Sequence, residues 1–184
     1  NTETDFVSRN SEFHKLMNDV LSVAIDNPDN LEKTREESKE LINQAVSKIG
    51  ENIVLKKIEI MKGRIFSYVH NSVANNLGKI GVLISLDPYN KDLDNVGKNL
   101  CMHIAASSPK AILTSELDKD LINSETEIIK QQLKDTGKPD DIIEKMLNGK
   151  LNKFFEEVVL MNQKFVIDPS MTVKDYLISE SSKL

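Results

Sequence analysis

The spacing of apolar residues changes period twice along this chain, and that change constrains the fold more than any single motif. From Asn10 to Asp26, the residues Phe13, Leu16, Met17, Val20, Leu21, Ala24 and Ile25 recur at helical spacing, and Pro28 closes the run. A second helix is predicted from about Asn30, with a charged half from Glu32 to Glu40. It then presents Leu41, Ile42, Ala45, Val46 and Ile49, and Gly50 suits its left-handed end. The period then shortens. Ile53 to Ile60 is rich in β-branched residues, and Arg64 to His70 alternates, with Phe66, Tyr68 and His70 on one face and Ile65, Ser67 and Val69 on the other. An Asn-rich turn, Asn71 to Gly78, leads to a nearly continuous apolar strand from Lys79 to Leu86, so the pair reads as a hairpin. Helical spacing returns from about Lys91 to Ala106.

Between Pro109 and about Leu160 the apolar stripe thins. Leu117, Leu121, Ile128, Ile129 and Leu133 line a polar helix ending at Gly137; after Lys138-Pro139, a second helix carries Ile142, Ile143, Met146, Leu147, Leu151, Phe154, Phe155, Val158 and Val159. Two such helices joined by Thr136-Gly137-Lys138 make an antiparallel hairpin too narrow to be a domain alone. It is expected to project and seek a partner. Phe165-Val166-Ile167 reads as a short strand that resumes the earlier sheet, and Thr172 to Ser179 as a helix. The predicted class is α+β, with packed helices, small antiparallel sheets and an inserted helical arm.

Chemistry is scarce. The 7 Gly are scattered, and Gly78-Lys-Ile-Gly81 lies in a hairpin and not between a strand and a helix, so no phosphate loop is present. His14, His70 and His103 lack metal-ligand spacing: His14 reads as a surface residue and His103 as a buried, hydrogen-bonded packing histidine. Cys101 is the single Cys, without an evident base, which argues against a disulfide, a thiolate metal site or a nucleophile and for a reducing compartment. The carboxylate pairs Glu36-Glu37, Asp140-Asp141 and Glu156-Glu157 read as helix-end charges and solvated faces. No catalytic residues, cofactor or metal are expected. With 21 Lys against 3 Arg and a net charge of −5, the cluster Lys56, Lys57, Lys62 and Arg64 reads as a solvated strand face and not a nucleic-acid patch. No run reaches the roughly 18 to 20 apolar residues a membrane helix needs, and no signal peptide is legible, so a cytoplasmic location is expected. Aromatics are only 5% of the chain, so each exposed Phe is worth questioning.

The motif Asn1-Thr-Glu-Thr-Asp-Phe-Val-Ser-Arg-Asn10 resembles the signature of the elongation factor Ts family, the exchange factors for elongation factor Tu. The similarity continues in order through Lys48-Ile-Gly-Glu-Asn-Ile53, Tyr68-Val-His70, Gly78-Lys-Ile-Gly-Val-Leu83, Met102-His-Ile-Ala-Ala-Ser107 with Pro109, Gly137-Lys-Pro139, Glu144-Lys-Met146, Gly149-Lys-Leu-Asn-Lys-Phe154 and Phe165-Val-Ile-Asp-Pro169 with Thr172-Val173. These blocks cover nearly the whole chain. The resemblance implies a two-lobed core: an N-terminal subdomain over 1–57, a C-terminal subdomain over 58–108 and 160–184, and a coiled-coil dimerisation hairpin over 109–159.

The resemblance also implies a role for Thr4, Asp5, Phe6 and Val7: the Asp-Phe pair reaches the partner's G domain near its nucleotide-bound Mg²⁺, with Phe6 as a wedge. The residues alone also allow Thr4 or Asp5 to cap the first helix while Phe6 and Val7 pack on it. Further partner contacts are implied at Ile49 and His70, which otherwise read as the last core residue of a helix and the end of a strand. The family has a helical domain before the wedge and a terminal module after this region. A chain starting at Asn1 and ending at Leu184 is therefore expected to be a fragment or processed form with weakened but detectable partner binding. The competing expectation is a dimeric scaffold built on the hairpin.

Overall fold

The computed structural model describes residues 4–87, 93–134 and 137–182. They form two compact units, Asn1–Pro88 and Tyr89–Leu184. The fold is α+β: helices dominate, and among the described residues there is one two-stranded antiparallel sheet.

In the first unit, α1 (Asp5–Ser8) leads directly into α2 (Ser11–Asp26), whose Asn10 side chain accepts the Glu12 N–H at 2.8 Å. The predicted second helix is bent at Ser38 into α3 (Leu31–Glu37) and α4 (Lys39–Ile49), although Ser38 N–H still donates to Thr34 O and Ile42 N–H to Ser38 O, each at 3.0 Å. Gly50, at φ 81°, ends α4 in the left-handed region that disfavours a Cβ. Leu16, Val20 and Ala45 form the buried seam of α2 against α4, with Met17, Leu41, Ile42, Ile49, Ile53 and Leu55 packed on it.

That packing corrects one expectation. The segment Ile53 to Ile60 is irregular rather than a strand, because Ile53 and Leu55 serve the helical core while its carbonyls go to a side chain. Arg35 Nε donates to Leu55 O at 2.8 Å and Nη2 to Lys56 O at 3.3 Å, satisfying backbone groups that a sheet partner would otherwise take. The hairpin itself is longer than expected. Strands β1 (Ile65–Ala74) and β2 (Leu77–Ser85) leave only Asn75 and Asn76 between them, with a bulge between Ser72 and Ala74 and positive φ at Asn71 and Asn76. Asn tolerates that region better than other non-glycine residues, so the Asn-rich tract folds into strand and bulge and not a wide loop.

The second unit packs α5 (Asp94–Ser107) against the segment around Phe165 and α8 (Val173–Ser181). The predicted start of α5 at Lys91 and the arm's turn residue Thr136 lie outside the described residues. Val96, Leu100, Cys101, Phe165 and Val173 are buried, and the Phe165 ring stacks on Tyr176 at 4.2 Å between centroids. Phe165-Val166-Ile167 does not extend the β1–β2 sheet. Asp168 Oδ1 accepts both the Ser170 N–H (3.0 Å) and its hydroxyl (2.6 Å), which turns the chain back so that Lys164 bridges Thr172 and Phe165 N–H reaches Met171 O. Phe165 is thereby buried, while Val166 and Ile167 are about half exposed.

The arm consists of α6 (Lys119–Lys134) packed on α7 (Asp140–Val158), with Gly137 at φ 63° in the connection. Its base is zipped by an Ala111–Val159 bridge, with Lys110 N–H donating to Val158 O and Leu160 N–H to Ala111 O. The seam of α6 differs from the predicted stripe. Ile129 and Leu133 are buried and Ile122 and Thr126 half-buried, a 4-3-4 spacing, whereas Leu121 and Ile128 face outward. Leu117 is buried before the helix begins.

Candidate functional site

Four residues make up α1, far fewer than a helix needs to hold itself in water, so its geometry must come from what it touches. Val7 and Ser8 face inward and are buried. Ser8 O lies 2.7 Å from His14 Nε2, which ties α1 to α2, and the Ser8 hydroxyl donates to Asp5 O at 2.8 Å. His14 is therefore a tether and not only a surface residue. Thr4 occupies the N-cap position in extended conformation, yet its side chain makes no cap; its hydroxyl donates to Glu51 Oε1 at 2.6 Å. Asp5 Oδ1 pairs with Lys79 Nζ at 3.0 Å. The hydrogen bond and charge of Lys79 hold the Asp5 carboxyl below its usual range.

Phe6 is 89% exposed. It does not pack on the helix, and neither Thr4 nor Asp5 caps it, so of the simpler expectation for this motif only the packing of Val7 holds. Leaving so much of a Phe in water forgoes on the order of 1.5 to 3 kcal/mol of burial, so its placement has no account within this chain's own packing.

The two side-chain tethers reach the segments that carry the other candidate residues. Glu51 follows Ile49 and Gly50 at the end of α4, where Ile49 is half-buried against the α2–α4 seam. Lys79 precedes Ile80, the cross-strand partner of His70. By strand alternation, Lys79 leaves the ribbon on the face opposite Ile80 and His70. His70 is exposed, and its Nδ1 shares a hydrogen bond with Tyr68 Oη at 3.1 Å, as expected for residues two apart on one face. It sits inside β1 and not at a strand end. Gly78 is what allows the strands to close there: a Cβ would collide with the Val69 side chain and lie 2.8 Å from His70 O.

Elsewhere the chemistry is structural. His103 is fully buried, with Nδ1 accepting the Val166 N–H at 3.2 Å and Nε2 2.9 Å from Gln163 Oε1. Val166 N–H can only donate, so Nε2 carries the proton and the ring is neutral. Burial holds its pKa below the ordinary 6.5, against a smaller opposing effect from Gln163. Cys101 is also fully buried, and burial raises its thiol pKa, the opposite of nucleophilic activation. Among the described residues, no three His, Cys, Asp or Glu are placed to hold a metal ion, and no helix is long and apolar enough to cross a membrane.

Sequence reasoning missed Lys79 and Glu51. Both lie inside motifs that carry the resemblance, but nothing in linear order pairs Asp5 with a residue 74 positions away.

Comparison with known proteins bears on what such a site serves. The family model described as elongation factor TS matches residues 3–184. The protein named elongation factor Ts in Paracoccus denitrificans (strain Pd 1222) is 39% identical over 180 residues, covering 94% of this chain and 61% of that protein. Those of Hyphomonas neptunium and Rickettsia prowazekii are 38% and 40% identical, each covering all of this chain, with 64% and 63% of the relative matched. The chain thus spans a little over three-fifths of the length of these curated relatives. With the family model matched over residues 3–184, a range that includes the Thr4-Asp5-Phe6-Val7 motif, the chain belongs to the elongation factor Ts family.

Proposed function

We propose that this chain serves translation elongation in a guanine-nucleotide exchange factor for elongation factor Tu. The observation that carries the reading is Phe6: a large apolar side chain, 89% exposed, on a helix of four residues whose Val7 and Ser8 are buried. A Phe can bury on the order of 150 to 250 Å² on insertion, so the partner's surface supplies the burial this chain withholds. Thr4, Asp5, Phe6 and Val7 form the wedge, and Ile49 and His70 are flanking contacts. Asp5, paired with Lys79 at 3.0 Å, reaches toward the partner's Mg²⁺ site beside the wedge.

No nucleotide chemistry falls to this protein. It binds the nucleotide-free partner more tightly than the loaded one, and reciprocity weakens nucleotide by the same factor. Shifting a partner from mostly loaded to mostly empty takes about 5.5 kcal/mol of differential binding. One Phe does not supply that, so contacts are shared over both lobes. GTP rebinding then displaces the factor. The reading needs no cofactor, nucleic acid or membrane, and places the protein in the cytoplasm. The test is release of labelled GDP from elongation factor Tu: Phe6→Ala in the full-length parent is expected to slow release at least about tenfold, the loss of roughly 1.4 kcal/mol or more. No acceleration by the parent itself would sink the exchange reading, and an unchanged rate for Phe6→Ala would remove the wedge.

One observation favours a second role alongside it. Ile128 on α6 and Ile142 on α7 are 53% and 41% exposed, apolar surface suited to self-association of the arm in a homodimer. A non-exchanging dimeric scaffold is the alternative if release is not accelerated.

A further inference from the structure

We propose that Lys79 and Glu51 are positioning residues that aim the Phe6 wedge, acting through α1 and not through contact with the partner. This rests on the exchange reading above. Three observations carry it. First, α1 is too short to be stable alone, so whatever fixes it also fixes the direction of Phe6. Second, its two side-chain ties run to two separate elements: Thr4 Oγ1 to Glu51 at 2.6 Å, just past α4, and Asp5 Oδ1 to Lys79 at 3.0 Å, on β2. Third, Glu51 lies two residues past Ile49, and Lys79 is next to Ile80, the cross-strand partner of His70 on β1, so the same two bonds tie α1 to both segments that bear the other candidate contacts.

The physical gain is preorganisation. A wedge that is disordered when free must be ordered on binding, and that ordering cost appears directly in affinity. Both ends of the Asp5–Lys79 pair are more than half exposed. Such a pair contributes little to global stability. Its effect is local: it converts a fraying turn into a mount.

The test uses the full-length parent and nucleotide release from elongation factor Tu. Lys79→Met, which keeps the stem and drops the charge, is expected to lower the rate constant per unit concentration about three- to tenfold, with Lys79→Arg restoring most of it. Glu51→Leu should act in the same direction. Melting temperatures are expected to stay within about 2 °C, since exposed pairs add little. The amides of Ser8, Arg9 and Asn10, whose hydrogen bonds close α1, should exchange with solvent faster in Lys79→Met than in the parent. The deciding measurement is a double-mutant cycle: in a Phe6→Ala background, Lys79→Met should have almost no further effect. Additive losses would mean that Lys79 touches the partner itself, and the positioning role would be wrong. If Phe6→Ala slows release while Lys79→Met and Glu51→Leu do not, the positioning role also fails and the wedge survives. If Phe6→Ala has no effect, the underlying wedge is what fails.

Discussion

At position 6 the sequence left two readings of one Phe, and exposure separates them. A side chain that packs on its own helix would be legible in structure as a buried ring, and this one is not. Substituting it should therefore leave stability within about 0.5 kcal/mol, as for other exposed sites, while exchange falls; thermal unfolding beside nucleotide release checks both halves. His103 shows the reverse case, where the sequence reading of a packing histidine holds in detail. Gln163 Nε2 donates to Glu157 O at 2.7 Å, which turns its Oε1 toward the imidazole and locks the neutral tautomer. Its pKa in the folded chain lies below 6.5, so above that value neither state is protonated and His103 adds no pH dependence. Below it the unfolded chain takes up a proton that the folded one refuses, and stability falls with pH through that window. Urea unfolding at pH 7.5 and 5.5 should show a steeper loss for the parent than for His103→Gln, which cannot titrate. The variant should itself be about 1 to 3 kcal/mol less stable, because one buried partner loses its hydrogen bond.

Elements were legible where hydrophobic period and end signals agreed. The helix Ser11–Asp26 follows from its stripe and its Asn10 cap, and α4 ends at Gly50 as its left-handed φ requires. The segment Ile53 to Ile60 misled because β-branched residues fit any half-buried extended chain, and whether that chain joins a sheet depends on a neighbour. Here the neighbour is a helix, with Arg35 taking the carbonyls. On α6 the predicted stripe holds at Ile129 and Leu133 but not at Leu121 and Ile128, because adjacent apolar residues, Leu121-Ile122 and Ile128-Ile129, offer two stripes at the same spacing, and packing against α7 selects one. For the ribbon, Gly78→Ala is expected to cost about 1 to 3 kcal/mol through overpacking, since one colliding group is backbone and cannot rotate away. Amide exchange along Tyr68 to His70 should rise in that variant, and nucleotide release should weaken with it; unchanged exchange would show that the ribbon absorbs the methyl group.

For the whole molecule, the arm's helices bury Ile129 and Leu133 against each other, and its base is closed by the Ala111–Val159 bridge. Replacing residues 114–155 by a short Gly-Ser linker should therefore leave the Phe165–Tyr176–His103 packing intact. If the arm mediates self-association, sedimentation of that variant should show fewer dimers than the parent, and an unchanged distribution would place any dimer contact elsewhere.

The sequence by itself determined the class of fold, the helical arm, the buried role of His103 and the family, because these depend on periodicity and on ordered local motifs that need no knowledge of distant contacts. Tertiary structure alone decided that Ile53 to Ile60 serves a helical core, that Phe165 turns back instead of adding a strand, and that Phe6 is left in water. It also decided the Asp5–Lys79 and Thr4–Glu51 ties. A long-range ion pair depends on how the chain closes over many intervening residues, and local spacing carries no record of that closure.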